Sequence, residues 1–361
     1  MHVKHPKLNR TQVGQHARRE LTIIGPNCTV IQQTAEKWSH LLRDQYKCVF
    51  VDQDHDFFDP PFPIDVDQSC VAKSTHLTAN HWHQQSERQG MNTQSLEHDL
   101  AFLNGNHFRS EKAILIYQKE RHNKLLNKDL KNIICAISLT DEKTECMALV
   151  PENCHWIEAQ DEAGLLKHIL SICPIPSLNA LILSGGKSSR MGQDKGALNY
   201  HGKPQREHLG ELLSAHVECV YHSVRKEQNL TLENKIEDRF LGLGPFGAIL
   251  SGMMHDPNAG WLVLACDLPN ADEHLIDQLI QNRRPSAVAT AYHNPQTDWP
   301  DPLCTIYEPK SYSTMLSFLG RGYSCPRKVL INSEIELLTL MDSSYLDNVN
   351  TPEEFKSARH G

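Results

Sequence analysis

Residues 181–198, LILSGGKSSRMGQDKGAL, bring two consecutive glycines together with the cations Lys187, Arg190 and Lys195. The apolar run Leu178 to Leu183 reads as a short buried strand. It opens into Ser184, Gly185 and Gly186, which permit tight turning and close backbone approach to a ligand. A strand that enters a glycine-rich, cation-bearing loop can cradle phosphates with backbone N–H groups and side-chain charge. The spacing is not G-x-x-x-x-G-K-[ST], nor does a G-x-G-x-x-G open a helix here. A Walker-type loop and a dinucleotide fingerprint are therefore both excluded for this segment.

Other residues stand where such a loop would need them. WLVLACDLP (261–269) puts Asp267 at the carboxyl end of a buried strand. A carboxylate there is costly unless it meets a cation or a donor. Mg²⁺ takes one or two carboxylates with substrate phosphates and waters, which suits a nucleoside triphosphate; the plain alternative is a helix-capping aspartate. GLGPFGAI (242–249), with Gly244 before Pro245, reads as a rigid turn able to approach a flat base. Asp238, just ahead of it, could accept from an amino group or a ribose, or be an ordinary surface aspartate. DWPDPLCTIYE offers Asp298 and Asp301 on a substrate-side strand. In DNVNTPEEF, Asn350 is placed to cap a helix beginning at Pro352, with Glu353 and Glu354 in its first turn.

The elements that must position these residues follow from the pattern. Strands are expected at 21–25 and 48–55, with a helix over 31–45 whose apolar face is Ile31, Ala35, Trp38, Leu41 and Leu42. Further strands follow in DLAFLNGNHF, KAILIYQK and ICAISLTD, and a strand and a helix lie between Cys154 and Cys173. After the linker CPIPS (173–177), the second half alternates more cleanly. A helix starts at Pro204 and runs to about residue 216. Strands fall in VECVYHSV, WLVLACD, SAVATAY and PLCTIYE, with helices over ADEHLIDQLIQNR and about 310–319. The fold class is α/β in two domains, 1–176 and 177–361, the second a doubly wound, mostly parallel sheet. Ligands of such sheets sit beyond the carboxyl ends of the strands.

Bulk properties narrow the function. The chain has 361 residues, enough for two cores, and a formal net charge of -8, which argues against a general nucleic-acid binder. Its 11 cysteines have no framework spacing, and MHVKHPKLNRTQVGQ lacks an apolar h-region. No apolar stretch approaches a membrane span. A cytoplasmic protein with reduced thiols is expected. Among 21 histidines, His76, His81 and His83 lie close together; their segment, SCVAKSTHLTANHWHQQSERQGMNTQ, reads as polar, irregular surface.

The pattern L-x-G-G-x-S-x-R-M-G-x-D-K at 183–195, followed in order by GPFG, CDLP and NVNTPEE, resembles the molybdenum cofactor guanylyltransferase family over about residues 178–358. That resemblance implies a nucleotide-binding α/β domain that uses Mg²⁺ and GTP. It implies that Leu183, Ser184 and Gly185 meet the guanine nucleotide through backbone, with Gly186 and Gly244 in the same pocket. Lys195 would hold phosphate, Asp238 would touch the nucleoside and Asp267 would bind Mg²⁺. Arg190 and Lys195 are the cations placed to neutralise the transferring phosphates, with Asp267 as the third catalytic group. The sequence departs from the pattern at Ser184, Gln205, Phe246 and Asn270. The expected reaction is transfer of GMP from GTP to a phosphorylated, molybdopterin-like acceptor, with release of pyrophosphate. No nucleic acid or membrane partner is expected; molybdoenzymes or proteins of the cofactor pathway are. Alternatives are a cytidylyltransferase, a sugar-phosphate nucleotidyltransferase, or a nucleotide-binding regulator without turnover. The first half is similar to the P-loop family of molybdopterin-guanine dinucleotide biosynthesis, through IIGPNCTVIQQTAEKW (23–38) and VDQDHDFFD (51–59), but Gly-Lys-[ST] is absent. A degenerate relative is implied.

Overall fold

The computed structural model describes residues 19–53, 69–74, 77–83, 98–126, 130–138, 143–184, 195–228, 232–340 and 342–349, with a few isolated positions besides. Gly185, Gly186, Lys187, Arg190, His76, Asn350, Pro352 and Glu353 lie outside them, as do the side chains of His81 and His83.

The chain is α/β, built on two sheets. The first half contributes β1 (Arg19–Ile24), α1 (Cys28–Leu41), β2 (Cys48–Gln53), β3 (Ser69–Ser74), β4 (Leu77–His83), β5 (Leu100–Asn104), β6 (Ala113–Tyr117), the short helices α2 (His122–Leu125) and α3 (Lys143–Met147), β7 (Ile133–Ser138), β8 (His155–Glu158) and α4 (Glu162–Ile172). Eight strands pair in the order β4-β3-β2-β5-β1-β6-β7-β8. From β2 to β8 every pairing is parallel. The central strands β5 and β6 are buried throughout, as expected of a sheet covered on both faces. Leu21, Ile23, Phe102, Ile114 and Ile116 pack under α1 and α4, whose Ile31, Ala35, Trp38, Leu165 and Ile169 close that face.

The segment read as irregular around His81 and His83 is instead an antiparallel pair, β3 with β4, joined to β2. Its few apolar residues alternate too weakly for the pattern to announce a strand.

The second half contributes β9 (Leu178–Leu183), α5 (Gln205–Ser214), β10 (Val220–Val224), β11 (Lys235–Glu237), α6 (Pro245–His255), β12 (Gly260–Ala265), α7 (Glu273–Gln281), β13 (Ala289–Asn294), β14 (Trp299–Tyr307), α8 (Ser311–Gly320), α9 (Pro326–Ile331) and β15 (Ile335–Thr339). The order is β11-β10-β9-β12-β14-β13-β15, mostly parallel, with β14 antiparallel to both neighbours. Side chains alternate between two cores. Ala180, Ile182, Leu262 and Leu264 face α5 and α7. Leu181, Trp261 and Val263 face α6, α8 and α9. That two-sided burial makes the sheet doubly wound.

Two helix starts can be compared with the pattern. Pro204 is the residue preceding α5 rather than its first residue. Asp272, near the start of the segment read as helical, caps α7, its side chain accepting from Leu275 N.

A buried ion pair joins the two halves. Lys310, 1% exposed, donates to Asp99 Oδ2 at 2.6 Å and to the carbonyls of Pro285 and Ser286 at 2.8 and 2.9 Å. Asp99 also accepts from Lys47 N at 2.7 Å. Burial pushes its carboxyl up to about 6 against the pull of Lys310. Glu308, buried nearby, is held bidentately by Arg283 at 2.7 and 2.9 Å. The Tyr46 hydroxyl donates to the Cys173 carbonyl, tying the end of α4 to the first core.

Candidate functional site

Strands β10, β9 and β12 lie side by side, and their carboxyl ends are in register: Leu183 faces both Ser223 and Ala265. The residues just beyond, Ser184, Val224 and Cys266–Asp267, therefore converge on one edge of the sheet, where a doubly wound fold places its ligand. The antiparallel β14 brings Asp298 and Asp301 to the same edge by its amino end.

Ser184 is buried and fixed. Its N–H donates to Ser223 O at 3.2 Å, its carbonyl accepts from Gln228 Nε2 at 3.0 Å, and its hydroxyl lies 3.6 Å from Cys266 Sγ. Its amide is thus committed within the protein; its carbonyl retains a second lone pair for a ligand. Leu183, half-buried, ends the strand.

Asp267 and Lys195 meet at this edge. Lys195 Nζ donates to Asp267 Oδ2 at 3.0 Å, with side chains 22% and 18% exposed. Asp267 Oδ1 is buried and accepts no hydrogen bond from the described residues. Its main-chain carbonyl accepts from Val349 N at 2.9 Å, so the C-terminal segment closes over the strand end. Tyr200 stands in the field of Asp267; burial first, and then that negative charge, push its phenol up to about 12.

The exit of the glycine-and-cation loop is pinned to the same place. Lys195–Ala197 form one tight turn, and Gln205 N donates to Leu198 O at 2.7 Å. Gln205, fully buried, sends its Nε2 to Leu268 O at 3.3 Å. The departure at Gln205 from the family pattern thus ties the loop after Lys195 to the loop after Asp267. Arg206, also buried, packs its guanidinium on Gly196: a β carbon there would sit 3.0 Å from Nε.

Asp238 follows β11 and accepts from Ser223 Oγ at 2.8 Å. Burial raises its pKa, opposed by that hydroxyl and by Arg225. Ser223 and Gln228, which belong to none of the motifs, thus orient Asp238 and Ser184. Ser223 could have been found from its place at the end of a strand beside β9; Gln228, on a loop, carries no such signal.

Two expectations change. Only part of GLGPFGAI is a turn: Gly244, at φ 57°, precedes α6, and Pro245 to Ile249 are helical. Gly247 lets the preceding loop touch the helix, since a β carbon would lie 2.2 Å from Phe240 O. Asp301 is an internal brace, accepting from Leu303 N and Cys304 N at 2.8 and 3.1 Å and from Asn294 at 3.3 Å. Asp298 is exposed, 3.1 Å from His293. Near the C-terminus, Thr351 and Glu354 exchange reciprocal bonds at 3.2 Å, in the pattern of a capping box.

In the first half, three residues, Gly25 to Asn27, separate β1 from α1. Asn27 Oδ1 accepts from Val30 N at 2.9 Å, so the helix start is capped by its own chain. This turn is too short to wrap phosphates as a P-loop does.

At one edge of the α/β sheet stand the end of β9, the Lys195–Asp267 pair and Asp238. Residues 180–334 match the MobA-like NTP transferase domain family. The C-terminal half of the chain carries a MobA-like NTP transferase domain.

A molybdenum cofactor biosynthesis bifunctional protein of Synechocystis is 34% identical over 182 residues, 49% of this chain and 52% of that protein. The chain thus spans about half the length of that relative. A probable molybdenum cofactor guanylyltransferase of Trichormus variabilis is 29% identical over 185 residues, 49% of this chain and 88% of its own length. The crystal structure of molybdopterin-guanine dinucleotide biosynthesis protein A from Archaeoglobus fulgidus superposes with a TM-score of 0.44 at 20% identity, over 50% of this chain and 97% of that one. Among the described residues, no helix is long and apolar enough to cross a membrane.

Proposed function

We propose that the domain we delimit as 177–361 transfers GMP from GTP to a phosphate oxygen of a molybdopterin-type acceptor. The observation that carries this reading is the Lys195–Asp267 pair at the end of β12, at the exit of the glycine-and-cation loop. Asp267 Oδ1, buried and without a donor among the described residues, fits a divalent cation: a half-satisfied buried carboxylate is costly, and a hard cation with oxygen ligands completes it. Asp267 would hold Mg²⁺, which when bound neutralises charge on the triphosphate.

The rest is done by the chain. An acceptor phosphate is already ionised near neutral pH, so its oxygen attacks the α-phosphorus without a strong general base. The bond from the α-phosphorus to the bridging oxygen breaks, and the electron pair leaves with pyrophosphate. Lys195 exchanges its bond to Asp267 for one to the phosphates, and Arg190 adds a second cation, so that charge developing on the leaving group meets fixed opposite charge. Leu183, Ser184, Gly185, Gly186 and Gly244 would contact the nucleotide, with Asp238 toward the nucleoside, as the family resemblance implies. Positioning supplies the remainder.

Lys195→Ala should lower turnover more than Lys187→Ala, because Lys195 meets Asp267 at 3.0 Å, whereas Lys187 stands at a variable position of the signature. Steady-state pyrophosphate release compares them; equal losses would contradict the assignment. Calorimetric titration with each nucleoside triphosphate and Mg²⁺ should give the tightest binding for GTP, since a site that pairs polar base edges rejects a base that leaves them unpaired. Tighter binding of CTP would make the domain a cytidylyltransferase.

A further inference from the structure

The first half holds a second constellation that this reaction does not use. Asp52 at the end of β2, Cys28 at the start of α1 and His107 just past β5 converge at the carboxyl edge of the first sheet. One ligand atom from each lies within 4.8 Å of the others. His107 Nε2 is 3.5 Å from Cys28 Sγ and 3.8 Å from Asp52 Oδ1. Asp52 is buried and the other two are partly buried.

We propose that Cys28, Asp52 and His107 form a zinc site with one exchangeable position. With Zn–S near 2.3 Å and Zn–N and Zn–O near 2.0–2.2 Å, tetrahedral coordination sets ligand–ligand distances of about 3.6 Å for sulfur to nitrogen and about 3.4 Å for nitrogen to oxygen. The first separation already matches; the second needs a contraction of a few tenths of an ångström. A thiolate, an imidazole and a carboxylate select zinc over Mg²⁺, which prefers oxygen alone.

The supporting groups are those a ligand set requires. Asn104, fully buried, donates from Nδ2 to Asp52 Oδ1 at 2.7 Å. Its Oδ1 accepts from Asn106 N at 3.0 Å, which shapes the turn that carries His107. Asn106 Nδ2 lies 3.6 Å from Cys28 Sγ, as an amide hydrogen-bonding a thiolate would. Such partners fix ligand direction and tune affinity. The turn can approach β1 because residue 105 is glycine: a β carbon there would lie 2.6 Å from Ile23 O. The site stands beside the short, self-capped turn after β1, where a triphosphate would otherwise sit. Three protein ligands and an open position characterise zinc that binds a water or a substrate group.

The test uses the full-length protein, stripped with a chelator and reloaded with Zn²⁺ or Co²⁺, then passed through gel filtration. Metal content by mass spectrometry should be one ion per chain, and the cobalt form should show a thiolate-to-metal charge-transfer band. Cys28→Ser and His107→Ala should each lose the ion, Asn104→Ala should weaken binding about 10–100-fold, and Cys219→Ser, an exposed cysteine elsewhere, should keep it. Circular dichroism matching the wild type in each variant separates loss of a ligand from loss of fold. If Cys28→Ser fails to fold, loss of the charge-transfer band after alkylation of Cys28 in the wild-type chain gives the same answer. The proposal is overturned if the wild type retains no ion, if the cobalt form lacks the thiolate band, or if either ligand variant keeps one tightly held ion.

Discussion

Replacing Asp267 with asparagine will lower turnover at least ~100-fold, a barrier increase of roughly 2.7 kcal/mol. The amide keeps the shape of the side chain and removes the charge. In the wild type, one carboxylate oxygen of Asp267 meets Lys195 at 3.0 Å and the other is buried with no donor among the described residues. That second oxygen is what a metal ion needs, and asparagine offers there only a neutral dipole. The fold should survive, because the strand end is held by the main-chain bond from Val349 N to Asp267 O and by the apolar pairing of β12 with β9. Pyrophosphate release measured across a Mg²⁺ titration, with thermal unfolding as the control, checks both halves of the statement. Near-normal turnover at low Mg²⁺ would remove Asp267 from the reaction.

The largest effect on stability is expected at Asp99. Asp99→Ala should cost about 3–5 kcal/mol, because it leaves the Lys310 ammonium buried with two carbonyls and no counter-charge. Asp99→Asn should cost less, since an amide oxygen still accepts from Lys310 and from Lys47 N. The double variant Asp99→Ala/Lys310→Met should regain part of the loss by removing the stranded charge. Urea denaturation of the full chain measures all three. If Asp99→Ala stays within ~1 kcal/mol of the wild type, or if the two substitutions simply add, the pair does not join the halves as described. The same pair argues against testing the first half as a fragment, because cutting the chain after Cys173 would strand Asp99.

Much of this architecture was legible in the sequence where one rule acted alone. The runs at 113–117 and 260–265 are buried on both faces and are apolar throughout, so period and length agreed. The apolar face of ADEHLIDQLIQNR announced α7, while the structure fixes Asp272 as its cap. Asp267 could be placed because a carboxylate closing an all-apolar strand is costly unless a cation or a donor meets it. The β3–β4 pair and β15 were not legible: they lie at sheet edges, where packing is one-sided and the apolar pattern weak. The helical start of α6 was hidden by its glycines and proline, which signal a turn and a helix entry equally well. Contacts between distant segments were out of reach. Nothing in the order of residues reveals that Gln205 would bind Leu268 O, that Gln228 would bind Ser184 O, or that Cys28, Asp52 and His107 would meet.

The central claim is tested most directly by incubating the full-length protein with Mg²⁺, each nucleoside triphosphate in turn and molybdopterin, and following pyrophosphate. The account predicts release with GTP, dependent on both Mg²⁺ and the acceptor, together with a guanine dinucleotide product. Binding of GTP without pyrophosphate under any of these conditions, or release that is faster with CTP, would contradict it.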